Sequence, residues 1–282
     1  MATPDLAYLI SELPELGSCA HIYNELSKSL NDPSAAVGSF GRIIEKDPAL
    51  MAKLLRLANS AFFGYPSSIK TLDDAMIIIG IQQVRDLVAA TTVIEYFKDV
   101  SPDLVNMNSF WEHSMACGIA ARILAGYRRN WNPEQSFAAG IMHDLGRLVM
   151  LIRLPEQMRD ILNRCQNDPR PIYNIEREVM GYDHAEVGGV LLECWNFPQS
   201  LANAVRYHHE PTRSAQDFTD AALVHLGDII AHAMEFGSSG EKHVPHCDSQ
   251  VWAKLEMDTE ILRPSMREID RQFSEIVNMF MH

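Results

Sequence analysis

The sequence has little positive charge and no long apolar run. Its 282 residues contain 24 Lys and Arg against 37 Asp and Glu, which gives a net charge of −13. Few cations are therefore left to neutralise phosphates, and general binding to nucleic acid or to an anionic membrane is disfavoured. The longest apolar stretch, Ala75 to Ile81, has seven residues. That is far short of the roughly 20 needed to cross a bilayer.

Cysteine is also scarce. The chain has five cysteines, an odd number, and no two of them lie closer than 29 positions. This spacing excludes a CxxC zinc knuckle and argues against a disulfide framework. Asp5, Glu12 and Glu15 stand where a signal peptide would have a basic flank and an apolar core. We therefore expect a cytoplasmic protein that does not bind membranes.

The pattern of apolar residues is helical along almost the whole chain. Apolar positions recur at i, i+3, i+4 and i+7, which predicts an all-α fold. Asp47 and Pro48 are typical of a helix N-terminus, and the pattern after them predicts a helix that runs to residue 63, before Gly64. Thr71 to Asp74 resembles a capping box in which Asp replaces the usual Glu or Gln. That box predicts a second helix, which Gly80 ends.

Three regions are predicted along the chain. Residues 1–100 form a histidine-poor helical layer, residues 101–240 a helical bundle in which histidine is frequent, and residues 241–282 a C-terminal helical extension. Apolar residues in the last helix recur at steps of three and four from Leu262 to Phe280. This stripe predicts a helix that packs on the body of the protein, with a homodimer seam as the alternative.

Imidazole and carboxylate side chains occur in otherwise apolar segments of the bundle. They are His113, His143, Asp144, His184, His208, His209 and Asp228. Any one of them alone is more often an ordinary core or surface residue. Asp228, however, lies in the apolar segment LVHLGDIIAHAM, and a buried carboxylate without a partner is costly. Because imidazole and carboxylate together suit Fe, Mn, Zn or Ni, the set as a whole indicates a divalent metal site.

Four segments carry a resemblance to a known family. They are Leu13 to Leu16 (LPEL), DPALMAKLLRLANSAFFG, IKTLDDAMIIIGIQQVRDLV and, further on, HDLGRL. Together they resemble the HDOD family, a regulatory offshoot of the HD-domain phosphohydrolase superfamily, over roughly residues 5–260. The resemblance implies an HD-type helical bundle with an N-terminal helical layer.

The resemblance also implies a set of metal ligands. Residues that follow the order of ligands in the superfamily are His113, His143, Asp144 and Asp228. Residues at the places of the additional ligands of the HD-GYP cyclic-dinucleotide phosphodiesterases are His184, His208 and His209. The cofactor implied is one or two divalent ions per chain, with Fe or Mn favoured and Zn, Ni or Mg as alternatives.

Three further positions refine this expectation. Arg147 stands three residues after Asp144, where the HD-GYP enzymes have a lysine that contacts phosphate. Ser109 stands where members with three metals have a glutamate, so two metals are the most that we expect. After His208-His209-Glu210 the chain reads PTRSAQDF in place of a GYP loop, which weakens the case for cyclic di-GMP as substrate.

Two functions of different classes remain open. The first is a metal-dependent phosphohydrolase that acts on a small phosphoester or a cyclic dinucleotide, with Asp144 and Arg147 as catalytic residues. The alternative is a non-catalytic regulatory or scaffolding domain in signal transduction that binds partner proteins. The resemblance to a regulatory family favours the regulatory role, whereas the complete set of candidate metal ligands favours catalysis or at least metal binding.

Overall fold

The computed structural model describes residues 6–11, 23–29, 41, 43–45, 47–60, 62–64, 68–97 and 103–281. Helices dominate, and none of these residues lies in a strand, so the predicted all-α fold is confirmed. Residues 23–29 are helical, and the other helices are α1 (Leu6–Ser11), α2 (Pro48–Ala58), α3 (Leu72–Ile78), α4 (Ile81–Phe97), α5 (Met107–Ala125), α6 (Pro133–Met142), α7 (Leu145–Arg153), α8 (Pro155–Cys165), α9 (Ile172–Met180), α10 (His184–Cys194), α11 (Gln199–Arg206), α12 (Phe218–Ala233), α13 (Val251–Leu255) and α14 (Leu262–Met281). Among these residues no single helix is long and apolar enough to cross a membrane; α3 and α4 pass that test only as a pair, bent by 119°.

Two of the predicted helix starts are confirmed in detail. Asp47 Oδ1 accepts hydrogen bonds from the backbone N–H groups of Ala49 (3.1 Å) and Leu50 (3.0 Å) at the start of α2. At the start of α3, Thr71 Oγ1 accepts from the Asp74 N–H (3.0 Å), and Asp74 Oδ2 accepts from the Thr71 N–H (3.1 Å). Aspartate therefore closes a reciprocal capping box here as glutamate commonly does.

The predicted end of α2 is wrong. The helix ends at Ala58 and not at residue 63. Asn59 Nδ2 donates to the carbonyl oxygens of Leu55 and Ile69, both at 2.7 Å, and Asn59 Oδ1 accepts from the Ile69 N–H at 2.8 Å. An asparagine side chain that bonds the backbone in this way competes with helix continuation. It also ties the end of α2 to the segment before α3.

Glycines allow the central helices to approach closely. Helix α5 packs against α6, α12 and α14, and α7 packs against α10. A Cβ atom at Gly140 would lie 2.5 Å from Cα of Gly118, where α6 crosses α5. A Cβ atom at Gly146 would lie 2.0 Å from the carbonyl oxygen of His184, where α7 meets α10. The end of α6, the start of α7 and the start of α10 are thereby brought together.

The C-terminal helix packs on the body, as its apolar stripe predicts. Ile269, Ile276 and Phe280 on α14 are buried, and the Phe280 ring lies 6.2 Å from that of Phe137 on α6. Lys53 Nζ on α2 donates to the Phe280 carbonyl oxygen at 3.0 Å. Helix α14 therefore joins the bundle to α2. The LPEL segment and the predicted boundary at residue 100 lie outside the described residues.

Candidate metal centre

All seven side chains predicted as metal ligands converge in the interior of the bundle. Three groups of them have one ligand atom per residue, all within 4.8 Å of one another: His113, His143 and Asp228; His143, Asp144 and His208; and His184, His208 and His209. Apart from the partly exposed His209, each of the seven residues is at most 3% exposed. Side chains up to 115 positions apart in the sequence thus share one buried cluster.

Two of the histidines point an unpartnered nitrogen into the cluster. His143 follows α6, and its Nδ1 lies 2.7 Å from the carbonyl oxygen of Gly140. His208 follows α11, and its Nδ1 lies 2.7 Å from the carbonyl oxygen of Val205. These contacts assign a ring proton to Nδ1 and turn Nε2 towards the cluster. Neither Nε2 has a hydrogen-bond partner in the described structure, and a buried nitrogen in that state is costly unless a ligand takes it.

The first half of the cluster has the spacing of a ligand shell. His113 Nε2 lies 3.1 Å from Asp228 Oδ1 and 3.9 Å from Asp144 Oδ2. His143 Nε2 lies 3.2 Å from Asp144 Oδ2 and 3.7 Å from Asp228 Oδ1. Ligand atoms about 2.1 Å from one ion are about 3.0 Å apart at right angles and about 4.2 Å apart on opposite sides of the ion, and the four separations lie within this range. These four side chains fit a divalent cation.

The second half of the cluster surrounds His184, the first residue of α10. His184 Nε2 lies 3.1 Å from Asp144 Oδ1 and 2.8 Å from His209 Nε2. The ring of Tyr173 stacks on His209 with the centroids 4.2 Å apart. Asp144 therefore presents Oδ2 to the first half and Oδ1 to the second half, as a bridging carboxylate would.

Sequence reasoning missed Glu176. Its carboxylate is fully buried, and Oε2 lies 2.5 Å from His184 Nδ1 and accepts from the His184 backbone N–H at 3.0 Å. Carboxylates that hold the outer nitrogen of a histidine in this way orient metal ligands. A signal was present, because Glu176 shares the buried face of α9 with Ile172, Ile175 and Met180.

Sequence reasoning also missed His232. Its Nε2 lies 3.2 Å from Asp228 Oδ1, one helical turn earlier on α12. The i, i+4 spacing from Asp228 was the available signal. His225, on the same helix, is a structural residue instead. Its Nδ1 lies 2.7 Å from the His208 carbonyl oxygen, and its Nε2 accepts from the Asp248 N–H at 3.0 Å.

Arg147 lies beside Asp144, and its guanidinium is engaged inside the protein. Nη1 lies 2.5 Å from Ser239 Oγ and 3.4 Å from Asp144 Oδ2. Nη2 lies 2.9 Å from His184 Nε2, and Nε lies 3.6 Å from Glu176 Oε1. The side chain is 2% exposed. A role of Arg147 in phosphate contact stays a prediction.

The charged groups of the cluster shift one another's pKa values. Burial opposes the charge on Asp144, but Arg147 and His143 outweigh it and hold the pKa of this carboxyl well below its usual range. Burial likewise opposes the charge on Asp228, whose pKa is lowered by His232 and His113. Burial lowers the pKa of His113 to about 4. At neutral pH the two aspartates are ionised and His113 is neutral, the forms that bind cations.

The all-α bundle, with a His-Asp doublet between two central helices, defines an HD-type fold. The HDOD domain matches residues 16–211, and the chain belongs to this family.

Several known proteins are similar to this chain. The structure of a proposed phosphohydrolase from Shewanella amazonensis SB2B has a TM-score of 0.73 at 24% identity, with 99% of this chain and 98% of that chain covered. An HDOD domain protein from Geobacter sulfurreducens has a TM-score of 0.72 at 21% identity, with 97% of both chains covered. A proposed metal-dependent phosphohydrolase from Shewanella amazonensis SB2B has a TM-score of 0.60 at 15% identity, with 95% of this chain and 98% of that chain covered. At these identities the likeness shows the fold alone.

A curated protein from Treponema pallidum (strain Nichols) is 24% identical over 217 residues. The match covers 76% of this chain but only 40% of that protein.

Proposed function

We propose that this HDOD protein is a metal-dependent phosphohydrolase of signal transduction that acts on a small phosphoester or a cyclic nucleotide. The observation that carries the proposal is the buried cluster in which unpartnered imidazole nitrogens face ionised aspartates. The cluster follows the ligand order of the HD superfamily. Two proteins of the same fold are proposed phosphohydrolases, one of them metal-dependent, which supports the proposal.

The residues that would hold a divalent ion are those of the first half, His113, His143, Asp144 and Asp228, with His184, His208 and His209 facing Asp144 from the other side. Mixed imidazole and carboxylate ligands favour Fe or Mn, with Zn, Ni or Mg as alternatives. When bound, such an ion acts as a Lewis acid on a phosphoryl oxygen and lowers the pKa of a water molecule.

The protein's own groups supply charge and proton transfer. Asp144 faces both halves of the cluster and so sets their separation. His232 Nε2 lies 3.2 Å from Asp228 Oδ1 and leads towards the partly exposed edge of the site, so this imidazole can carry a proton to or from the centre. Arg147 places a permanent positive charge beside Asp144, where it can offset negative charge that develops on the phosphoryl group.

One observation favours the second function, a non-catalytic regulatory domain that binds partner proteins. The segment 236–243 covers the site: the Ser238 N–H donates to the Ser109 carbonyl oxygen at 3.0 Å, and Ser239 bonds Arg147. Gly237 lies so close to α5 that a Cβ atom there would be 2.2 Å from that same Ser109 oxygen. If the protein is a regulatory domain, the ion stabilises the fold, and signalling partners or a second copy of the chain dock away from the metal centre.

Metal counting and turnover test the proposal together. The full chain, purified without chelating resin, is loaded with Mn²⁺ or Fe²⁺ and assayed on a phosphomonoester, a phosphodiester and a cyclic dinucleotide. We expect hydrolysis by the loaded protein, and we expect Asp144→Ala to lose metal and activity together. Arg147→Ala should keep the ion of the first half but lower the rate by at least about tenfold, since the positive charge that offsets charge developing on the phosphoryl group is lost.

Arg206→Ala is the control for the loss of a guanidinium, because Arg206 pairs with Glu193 outside the cluster. It should leave the rate unchanged. If the fully loaded protein hydrolyses none of the three substrates, the phosphohydrolase proposal is wrong and the regulatory function stands.

A further inference from the structure

The two halves of the cluster are unequal. In the first half, the Nε2 of His143 has no hydrogen-bond partner in the described structure and is faced by carboxylate oxygens. In the second half, the Nε2 of His184 already lies 2.9 Å from Arg147 Nη2. A cation therefore occupies the surroundings of His184 but not those of His143.

The position of the guanidinium follows from two distances. Arg147 Nη2 is 3.1 Å from His184 Nδ1 and 2.9 Å from His184 Nε2. An atom about equally distant from both ring nitrogens lies over the face of the imidazole, because within the ring plane the Cε1–H group blocks that approach. The charge of Arg147 thus lies over the ring whose Nε2 would have to bind a second ion.

Several contacts hold Arg147 in that position. Nη1 bonds Ser239 Oγ and lies 3.3 Å from the Ser239 carbonyl oxygen, while Nε faces Glu176 Oε1 at 3.6 Å. The side chain is buried in the same cluster as the ligands. It cannot leave His184 without breaking these bonds, and arginine does not lose its charge in proteins.

The charges at the centre agree with this arrangement. Three buried carboxylates, those of Asp144, Asp228 and Glu176, lie around the buried guanidinium of Arg147. A second divalent ion would add two further positive charges beside this guanidinium, away from water, which is costly.

Two neighbouring acids do not offset the charge of a further cation, because each is already compensated. Asp183 Oδ2 lies 2.7 Å from Arg177 Nη2. Glu241 accepts from the backbone N–H groups of Ile172 (2.7 Å), Lys242 (2.8 Å) and His243 (3.1 Å).

We infer that the centre holds a single divalent ion, bound by His113, His143, Asp144 and Asp228, and that the guanidinium of Arg147 takes the electrostatic place of a second ion beside His184. This inference rests on the metal binding within the proposed function but not on turnover. It assigns different roles to the two halves of one ligand set.

The first experiment counts ions. The full chain is dialysed against excess Mn²⁺ and then free of unbound metal, Mn per chain is measured by mass spectrometry, and the ion is located by anomalous scattering. We expect one Mn²⁺ per chain, between His143 and Asp228. His113→Ala should bind none, whereas His209→Ala should still bind one, with Kd changed less than about twofold.

Two Mn²⁺ per wild-type chain, or loss of the ion in His209→Ala, would overturn the inference. Failure of the proposed function gives a different result: one bound ion with no hydrolysis refutes the phosphohydrolase and leaves the single-ion centre standing. Absence of any bound Mn²⁺ overturns both.

The second experiment removes the positive charge of Arg147. Arg147→Gln is expected to raise the count from one to two Mn²⁺ per chain, while the control Arg206→Gln stays at one. A folded Arg147→Gln protein that still binds one ion would refute the role assigned to Arg147. If Arg147→Gln does not fold, the pair His113→Ala and His209→Ala decides the question alone.

Discussion

Glu176 and His184 are joined by two hydrogen bonds. Glu176 Oε2 meets both the Nδ1 (2.5 Å) and the backbone N–H (3.0 Å) of His184, the first residue of α10. The opposite ring nitrogen, Nε2, lies 3.1 Å from Asp144 Oδ1. A buried acid on α9 therefore fixes the imidazole that in turn positions Asp144, so the geometry of the metal centre depends on a residue that does not face the ion.

We predict that Glu176→Gln lowers the affinity for Mn²⁺, because Glu176 holds His184 against the ligand Asp144, and groups that hold a metal ligand typically contribute tenfold or more to metal affinity. A competition titration against a chelating dye measures the change, and circular dichroism checks that the helices remain. Glu193→Gln, which alters a carboxylate paired with Arg206 away from the cluster, is the matched control. Equal affinities of Glu176→Gln and wild type would show that Glu176 does not position the ligands.

We predict that Gly146→Ala destabilises the protein by at least about 1–3 kcal/mol, the usual cost of overpacking. The new Cβ atom would lie 2.0 Å from the His184 carbonyl oxygen and 2.5 Å from the Gly188 backbone nitrogen, and neither atom can move without shifting α10. Urea unfolding measures the loss in the free energy of unfolding, and Mn²⁺ affinity should fall with it.

Gly41→Ala is the control for Gly146→Ala, since a Cβ atom there meets Asp73 Oδ1 only at 3.8 Å and Met76 Cε at 3.9 Å. It should not destabilise the protein, since Gly41 is helical and alanine has a higher helix propensity than glycine. An equal loss in the two variants would contradict the close approach of α7 and α10.

Local signals in the sequence predicted local structure well. The caps at Asp47 and Thr71 need only residues within one turn, and their bonds occur as expected. The end of α2 was missed because Asn59 bonds the backbone of Ile69, ten residues away, and no pattern within the helix reports that contact.

The residues of the candidate site fall into two similar groups, those that a pattern in the sequence marked and those that only tertiary packing brings to the site. The convergence of His143 with Asp228 could be anticipated because a familiar order of residue types marked them, although its geometry needed the fold. Glu176 and the contact between Arg147 and Ser239 depend on α9 and on a segment 92 residues after the arginine. Such contacts arise from tertiary packing, so neither spacing nor composition could reveal them.

We predict that Mn²⁺ affinity rises with pH between 6 and 8. Burial opposes the charge on His143, but the Asp144 carboxylate outweighs it and raises the pKa of this imidazole well above its usual value. An ion must displace that proton before it can bind Nε2, so affinity should increase about tenfold per pH unit for each proton released. Titrations at three pH values against a chelator of known pH dependence measure the slope. A flat profile would show that His143 is already neutral.

We predict that Asp86→Asn stabilises the protein at pH 8 and loses this advantage as the pH falls towards 4. Asp86 is 2% exposed, and its Oδ2 has no hydrogen-bond partner in the described structure. Burial raises its pKa to about 6 although Arg85 bonds Oδ1. The unfolded carboxyl has a pKa near 3.9, so the folded state holds the extra proton between these values, and stability falls as pH rises through 6.

Asp86→Asn therefore raises the free energy of unfolding by at most about 3 kcal/mol, because the folded and unfolded pKa values of Asp86 differ by about two units. It should appear at pH 8 and shrink by pH 5 in urea unfolding of both proteins. Asp220 on α12, whose pKa burial also raises to about 6, lies close enough to be affected by the charge of Asp86, so Asp86→Asn should in addition lower the pKa of Asp220. If Asp86→Asn is equally destabilising at both pH values, the carboxylate serves mainly as the partner of Arg85, and the raised pKa does not limit stability.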